Sequence, residues 1–329
     1  MMGLLVDGRW HDQWYDTSNE GRFVREAARF RNWIGQMPES AEHQQGRVLP
    51  AESGRYHLYV SLACPWAHRT LIFRKLKELE SHIDVSVVSP WMLEQGWSFD
   101  KQTGSTGDPN YKAGFLHQIY TRAKADYSGR VTVPVLWDKQ EQTIVSNESS
   151  EIIRMMNSAF DGITGNTLDF YPEPLRPDIE RWNTLIYDRI NNGVYKAGFA
   201  TEQAAYEEAV TELFEALDTL EVQLATHRYL TGDQLTEADW RLFTTLIRFD
   251  AVYVGHFKCN IRRLVDYPNL WGYLRELYQI PGIAETVDLH HIKQHYYYSH
   301  TSINPTHIVP EGPELELDRP HGRELVQKG

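Results

Sequence analysis

Arg55-Tyr56-His57-Leu58-Tyr59-Val60, followed at once by Ser61-Leu62-Ala63-Cys64-Pro65-Trp66-Ala67-His68-Arg69, decides how this chain folds. Tyr56, Leu58 and Val60 alternate with their neighbours at the period of a strand, and the stretch from Pro65 to Leu79 reads as a helix. Cys64 therefore stands at a strand-to-helix turn. A helix N-terminus offers amides without intrahelical partners and the positive end of the dipole, so it favours a thiolate over a thiol. Pro65 suits the first helical turn, where its missing N–H is not needed. In a Cys-x-x-Cys redox motif a second cysteine would occupy position 67. Ala67 is there instead, so the chemistry is expected to be monothiol and completed by an outside thiol. His68 and Arg69 add basic character. The other cysteine, Cys259 in Phe257-Lys258-Cys259-Asn260, has no such setting and reads as a small structural hydrophobe.

Working outward, Ile83, Val85 and Val87 form a second strand, and the crossover between the two is long enough to make them parallel. Tyr111, Phe115, Ile119 and Tyr120 recur at helical spacing. Val131 to Asp138 and Thr143 to Ser146 read as strands joined by the polar turn Lys139 to Gln142. A helix starting near Glu148 places Ile152, Ile153 and Met156 on one face. The order strand-helix-strand-helix-strand-strand-helix is that of a thioredoxin-like domain. Pro134 inside a strand is explained by an edge position or by a cis peptide after Val133. The fold order favours the cis peptide, which would turn the Val133 backbone toward Cys64, where it could pair with a peptide-like ligand.

Beyond the linker Tyr171-Pro172-Glu173-Pro174 helical patterns dominate. Helices are predicted over Asp178–Asn191, Glu202–His227, from Thr236, over Tyr267–Tyr278 and around Pro281–His295. In the third, Thr236 and Asp239 form a capping box, with Leu235 and Trp240 placed for a hydrophobic staple. The division expected is an N-terminal extension (1–50) wrapped on the surface and ending in the polar loop 41–47, a thioredoxin-like domain (51–165), an all-helical domain (175–303) and an extended tail (304–329). The fold class is thus α/β followed by all-α.

The 329 residues suffice for two cores, and a net charge of −12 argues against nucleic-acid binding. The opening residues reach Asp7 and Arg9 too soon for a signal peptide, and no apolar run approaches a membrane span. Two cysteines build no disulfide scaffold, so a cytoplasmic location is expected. Aromatic residues make up 12% of the chain, enough to line an aromatic pocket as well as a core.

These domains, in this order, resemble the soluble glutathione transferase superfamily. Cys64-Pro65-Trp66-Ala67, Trp97 in Glu94-Gln95-Gly96-Trp97, Arg130-Val131-Thr132-Val133-Pro134, Ser146-Asn147-Glu148-Ser149 and Asn192-Gly193-Val194-Tyr195-Lys196-Ala197-Gly198-Phe199 are similar to the glutathionyl-hydroquinone reductases, the xi class, over essentially the whole chain. Glutathione carries two carboxylates and an ammonium, so its site needs donors, one acid and an extended edge. Ser149 and helix-start amides can hold the γ-glutamyl carboxylate, Glu148 the ammonium, and Val133 the cysteinyl backbone. The resemblance adds Trp97, Arg130, Val131 and Thr132 to the glutathione site, with Arg130 facing the glycyl carboxylate.

The resemblance further implies proton transfer by Tyr195 and thiolate stabilisation by Tyr253 and Tyr296, with Tyr297 and Tyr298 adjoining the last. It implies glutathione as co-substrate, an aromatic quinone-derived thioether as substrate, no permanently bound cofactor, no membrane and no nucleic acid, and a homodimer. The rival reading is a general thiol transferase or dehydroascorbate reductase, which shares Cys64 but cleaves no carbon–sulfur bond; a non-catalytic scaffold lies further off. His290, His291, His295 and His300 include a pair at zinc spacing, but no acidic or cysteine ligand completes the set, and no metal site is assigned.

Overall fold

The computed structural model describes residues 3–13, 19–38, 46–324 and 326. The polar stretch 41–45 of the expected loop lies outside them, as do Leu325 and residues 327–329 of the tail. The chain divides into two compact units. One comprises Met1–Trp14, Glu26–Leu168 and His290–Ile308, and the other Tyr15–Arg25, Asp169–Leu289 and Val309–Gly329.

In the first unit, β1 (Leu4–Val6) and β2 (Arg9–His11) form a hairpin, followed by the short β3 (Trp33–Ile34) and β4 (Val48–Leu49), a parallel pair. The N-terminal stretch is therefore built into sheets rather than merely wrapped on the surface. Strands this short carry no readable period. One local signal was present, because Asp7-Gly8 closes the hairpin with both residues at positive φ, 48° and 74°, the type I′ geometry favoured by Asp-Gly.

The central sheet has the order β6-β5-β8-β9, formed by β5 (Tyr56–Val60), β6 (Ile83–Val87), β8 (Val135–Asp138) and β9 (Thr143–Ser146), with β5 and β6 parallel and the other pairs antiparallel. Between β5 and β6 runs α1 (Pro65–Leu76); α2 (Leu116–Ala123) and β7 (Gly129–Arg130) precede β8, and α3 (Ser149–Ser158) follows β9. This is the expected thioredoxin-like order with one correction. The strand predicted from Val131 starts only at Val135, because Val131 to Pro134 form a separate loop around a cis Val133–Pro134 bond. β7 pairs instead with β1, Leu4 opposite Arg130. Tyr56, Tyr59, Phe73, Tyr120 and Trp137 are fully buried in the core, each large apolar side chain contributing about 1.5–3 kcal/mol. The short α4 (Asp161–Thr164) ends this stretch of chain.

The second unit is helical. Here α5 (Arg176–Leu185) runs through a wider π-helical turn, Ile186–Asn191, into α6 (Gly193–Gly198), followed by α7 (Gln203–Thr226), α8 (Glu237–Arg248) and α9 (Pro268–Tyr278). Every residue of α8 is buried. At its N-terminus the Asp239 carboxylate accepts from the Thr236 N–H at 2.8 Å and the Thr236 hydroxyl at 3.0 Å, while its other oxygen accepts from Leu230 N and the Tyr273 hydroxyl. The predicted box is thus also a junction for α9.

One boundary differs from the expectation. The last helix, α10 (Leu289–Ser299), begins eight residues after Pro281, beyond a short 3-10 turn at Ala284–Thr286, and belongs with the thioredoxin-like unit. The tail is extended but pinned: buried Arg323 pairs with Glu276 at 3.2 Å and donates to the carbonyls of Leu224, His227 and Arg228 where α7 ends, a favourable place for a cation. Among the described residues no helix is long and apolar enough to cross a membrane.

Candidate active site

Cys64 is the N-cap of α1, in extended backbone at φ −77° and ψ 122°, with Pro65 directly after it. A turn leads into it. Cys64 N donates to Ser61 O at 3.2 Å, and His68 N donates to Cys64 O at 3.0 Å as the first helical bond. The thiol is half-buried, and its Sγ lies 3.6 Å from the Val133 carbonyl oxygen, so the cis-proline loop stands beside the sulfur as the sequence suggested. The Val133 N–H makes no backbone hydrogen bond among the described residues. Thr132 differs, since its C=O accepts from the Tyr120 hydroxyl at 2.8 Å and its N–H donates to the same oxygen at 3.2 Å. Val131 is buried next to them.

Tyr120, read in the sequence as a helical position, and Asn147, read as part of a motif, had no role in the site expected of them. Asn147 Nδ2 donates to Tyr120 Oη at 3.2 Å, tying the start of α3 to the proline loop through one buried phenol. Burial raises the phenol's pKa, which keeps its O–H as a donor.

Glu148 caps α3, one carboxylate oxygen accepting from Ser150 N at 3.0 Å and Ser150 Oγ at 2.7 Å. Ser149 is buried, with the Arg69 guanidinium 3.4 Å from its hydroxyl oxygen. Arg69 in turn lies 4.5 Å over the Trp66 ring, so the basic neighbour of Cys64 links the starts of α1 and α3. Arg130, expected to face the glycyl carboxylate of glutathione, is buried and engaged within the protein: its Nε meets Glu26 at 3.2 Å and its Nη1 donates to Gln13 O at 2.5 Å. Neither partner carries a recognisable sequence signal.

Trp97 is buried and stacks on His295, centroids 4.8 Å apart, while His295 Nδ1 lies 2.8 Å from Pro90 O. Tyr296 is buried against the rings of His295 and His300, whereas Tyr297 and Tyr298 are only half-buried and Tyr298 stacks on Trp91 at 4.4 Å. Burial thus separates the three adjacent tyrosines. Among the described residues no group of His, Cys, Asp and Glu is arranged to hold a metal ion.

In the helical unit, Tyr195 on α6 and Tyr253 are brought together at 6.2 Å, with Phe199, Phe257 and Phe23 around Tyr195. Cys259 is fully buried, its Sγ 4.0 Å from Val194 O and 3.8 Å from Phe257 O, and burial pushes its thiol far above the ordinary range.

Residues 63–159 match the glutathione S-transferase N-terminal domain and residues 203–276 the C-terminal domain. Glutathionyl-hydroquinone reductase YqjG of Escherichia coli K-12 is 60% identical over 326 residues, covering 98% of this chain and 99% of that protein. The chain belongs to the glutathionyl-hydroquinone reductase family of glutathione transferases. Glutathionyl-hydroquinone reductase PcpF of Sphingobium chlorophenolicum is 52% identical, with 96% and 98% covered. The glutathione-bound structure of the E. coli protein superposes with a TM-score of 0.89 at 57% identity, covering 98% of this chain and 99% of that one. A xi-class transferase from Natrialba magadii follows at 0.88 and 49%, with 98% and 96% covered. As a member of the glutathionyl-hydroquinone reductase family, the chain departs from a dithiol oxidoreductase at one residue above all, Ala67.

Proposed function

We propose that this chain is a glutathionyl-hydroquinone reductase. Cys64, as its thiolate, attacks the sulfur of the glutathionyl thioether. The ring carbon keeps the electron pair of the broken carbon–sulfur bond and takes a proton through Tyr195, so hydroquinone leaves and Cys64 is left as a mixed disulfide with glutathione. A second glutathione attacks that disulfide, releasing oxidised glutathione and the Cys64 thiolate. Electrons come from thiols alone, so no resident cofactor is required. Trp97, Arg130, Val131, Thr132, Val133, Glu148 and Ser149 are assigned to glutathione, and Tyr253 and Tyr296 to stabilising the thiolate. A reaction that consumes reduced glutathione fits a reducing cytosol, and the working form is taken as a homodimer, which sedimentation would test.

The observation that carries this reading is Cys64 at the N-cap of α1 beside the Val133 carbonyl, with alanine where a resolving cysteine would stand. In the test, glutathionyl-hydroquinone is supplied with glutathione and the products are analysed by mass. Hydroquinone and oxidised glutathione in equal amounts are expected. Reduction of simple mixed disulfides or dehydroascorbate with the thioether left intact would replace this reading by that of a general thiol transferase.

A further inference from the structure

Phe23, Val24 and Arg25 lie on a segment of the helical unit without regular secondary structure. Phe23 is buried and Val24 exposed, while Arg25 sits with its guanidinium carbon 5.1 Å from the centroid of the Tyr195 ring. Arg25 also lies 5.6 Å from the Phe23 ring, and Phe23 packs 6.4 Å from Tyr195. The guanidinium is held in place: its Nε donates to Asn192 Oδ1 at 2.9 Å, and Asn192 is the residue immediately before α6, one turn ahead of Tyr195. The Asn192-Gly193-Val194-Tyr195 motif thereby gains a physical role for its first member. Asn192 is the bracket that fixes a cation over the face of the phenol.

We infer that Arg25, bracketed by Asn192, is a positioning residue for Tyr195, its charge favouring release of the phenol proton to the substrate carbon. The inference rests on the reading of Tyr195 as proton donor. When Tyr195 gives up its proton the ring becomes a phenolate, and a fixed positive charge over its face is attracted far more strongly to the anion than to the neutral ring. The proton set free when the second glutathione ionises restores the phenol, so the cycle balances.

Among the contacts described for Tyr195 within the helical unit, Arg25 supplies a charge. Tyr253 presents a ring at 6.2 Å, Phe199 and Phe257 are apolar, and α7 places Leu213 against Gly193. Lys196, next in the chain, turns to the Asp188 carbonyl at 3.2 Å.

The test compares Arg25→Met, Arg25→Lys, Asn192→Ala and Tyr195→Phe. For each, kcat is measured against pH for glutathionyl-hydroquinone reduction and for reduction of the glutathione mixed disulfide of 2-mercaptoethanol, which needs no carbon protonation. A proton donor acts while protonated, so kcat falls as pH rises through its pKa. Removing the cation raises that pKa and weakens the acid. Arg25→Met should lower thioether cleavage by about fivefold near neutrality and move its alkaline limb up by about one pH unit, with disulfide reduction within about twofold. Arg25→Lys should keep the limb near its original position, and Asn192→Ala should shift it the same way as Arg25→Met by less. If Arg25→Met does not fold, the limb in Asn192→Ala decides.

An unmoved limb, or a parallel fall of both activities, overturns the role given to Arg25. Tyr195→Phe separates the two levels. If it abolishes the limb while Arg25→Met leaves it in place, only the part of Arg25 is wrong. A limb that survives in Tyr195→Phe refutes the proton-donor reading itself.

Discussion

Cys64 and Cys259 carry the same sulfur into opposite surroundings. Cys64 is half-buried at a helix start, on an extended N-cap with a backbone carbonyl 3.6 Å from its sulfur. Cys259 is fully enclosed between the Val194 and Phe257 carbonyls, where desolvation holds it as the neutral thiol. Reactivity therefore follows from the backbone that surrounds a thiol and from its access to water, and residue type says little.

The largest effect should come from exchanging these roles. Cys64→Ser should lower turnover by at least about 10³-fold, because a hydroxyl is a poor nucleophile at sulfur and scarcely ionised near neutrality, while Cys259→Ser stays within about twofold. Steady-state rates of the two variants check this, and equal losses would break the contrast. In the same experiment, oxidised glutathione should leave one stable glutathionyl adduct on Cys64, visible by intact mass, since Ala67 cannot resolve it. A Cys64–Cys259 disulfide in its place would end the monothiol reading.

Next in size is Tyr195→Phe, which keeps the ring and deletes the hydroxyl. It should slow thioether cleavage by about 10²-fold and largely spare disulfide reduction, as only the former has a carbon to protonate. Parallel loss of both would reassign Tyr195 to binding or thiolate stabilisation. The smallest effect concerns Cys259 as packing. Cys259→Ala should reduce stability by about 1 kcal/mol, read from the denaturation midpoint, with kcat unchanged. A marked loss of kcat would show that its contact with Val194, the neighbour of Tyr195, steers the chemistry.

Much of this molecule was legible in its sequence because strong local rules agreed. The alternation of Tyr56, Leu58 and Val60, the proline after Cys64 and the Thr236–Asp239 capping box each appear as elements within a residue or two of where they were placed. What escaped is long-range. Glu26 and Gln13 reach Arg130 across more than a hundred residues, and Tyr120 takes both backbone groups of Thr132, contacts that no period or motif announces. The strand expected at Val131 failed because a proline without an N–H cannot join the ladder, so the sheet starts after it. The Asp7-Gly8 turn is readable in the sequence, but the strands it joins are only three residues each and carry no period.

Arg323 makes contacts that can form only late in the synthesis of the protein, because their partners precede it by some fifty to a hundred residues. Its guanidinium closes on carbonyls at the end of α7 and on the buried Glu276 carboxylate, groups laid down long before it during synthesis. A chain emerging from the ribosome folds from its N-terminal end, so the thioredoxin-like core around β5 and α1 can form while the helical unit still lacks its last fastener. Until residue 323 is out, the nascent helical unit lacks the tail's lock on the end of α7. A chain truncated before residue 323 would leave the Glu276 carboxylate and the carbonyls at the end of α7 without this partner.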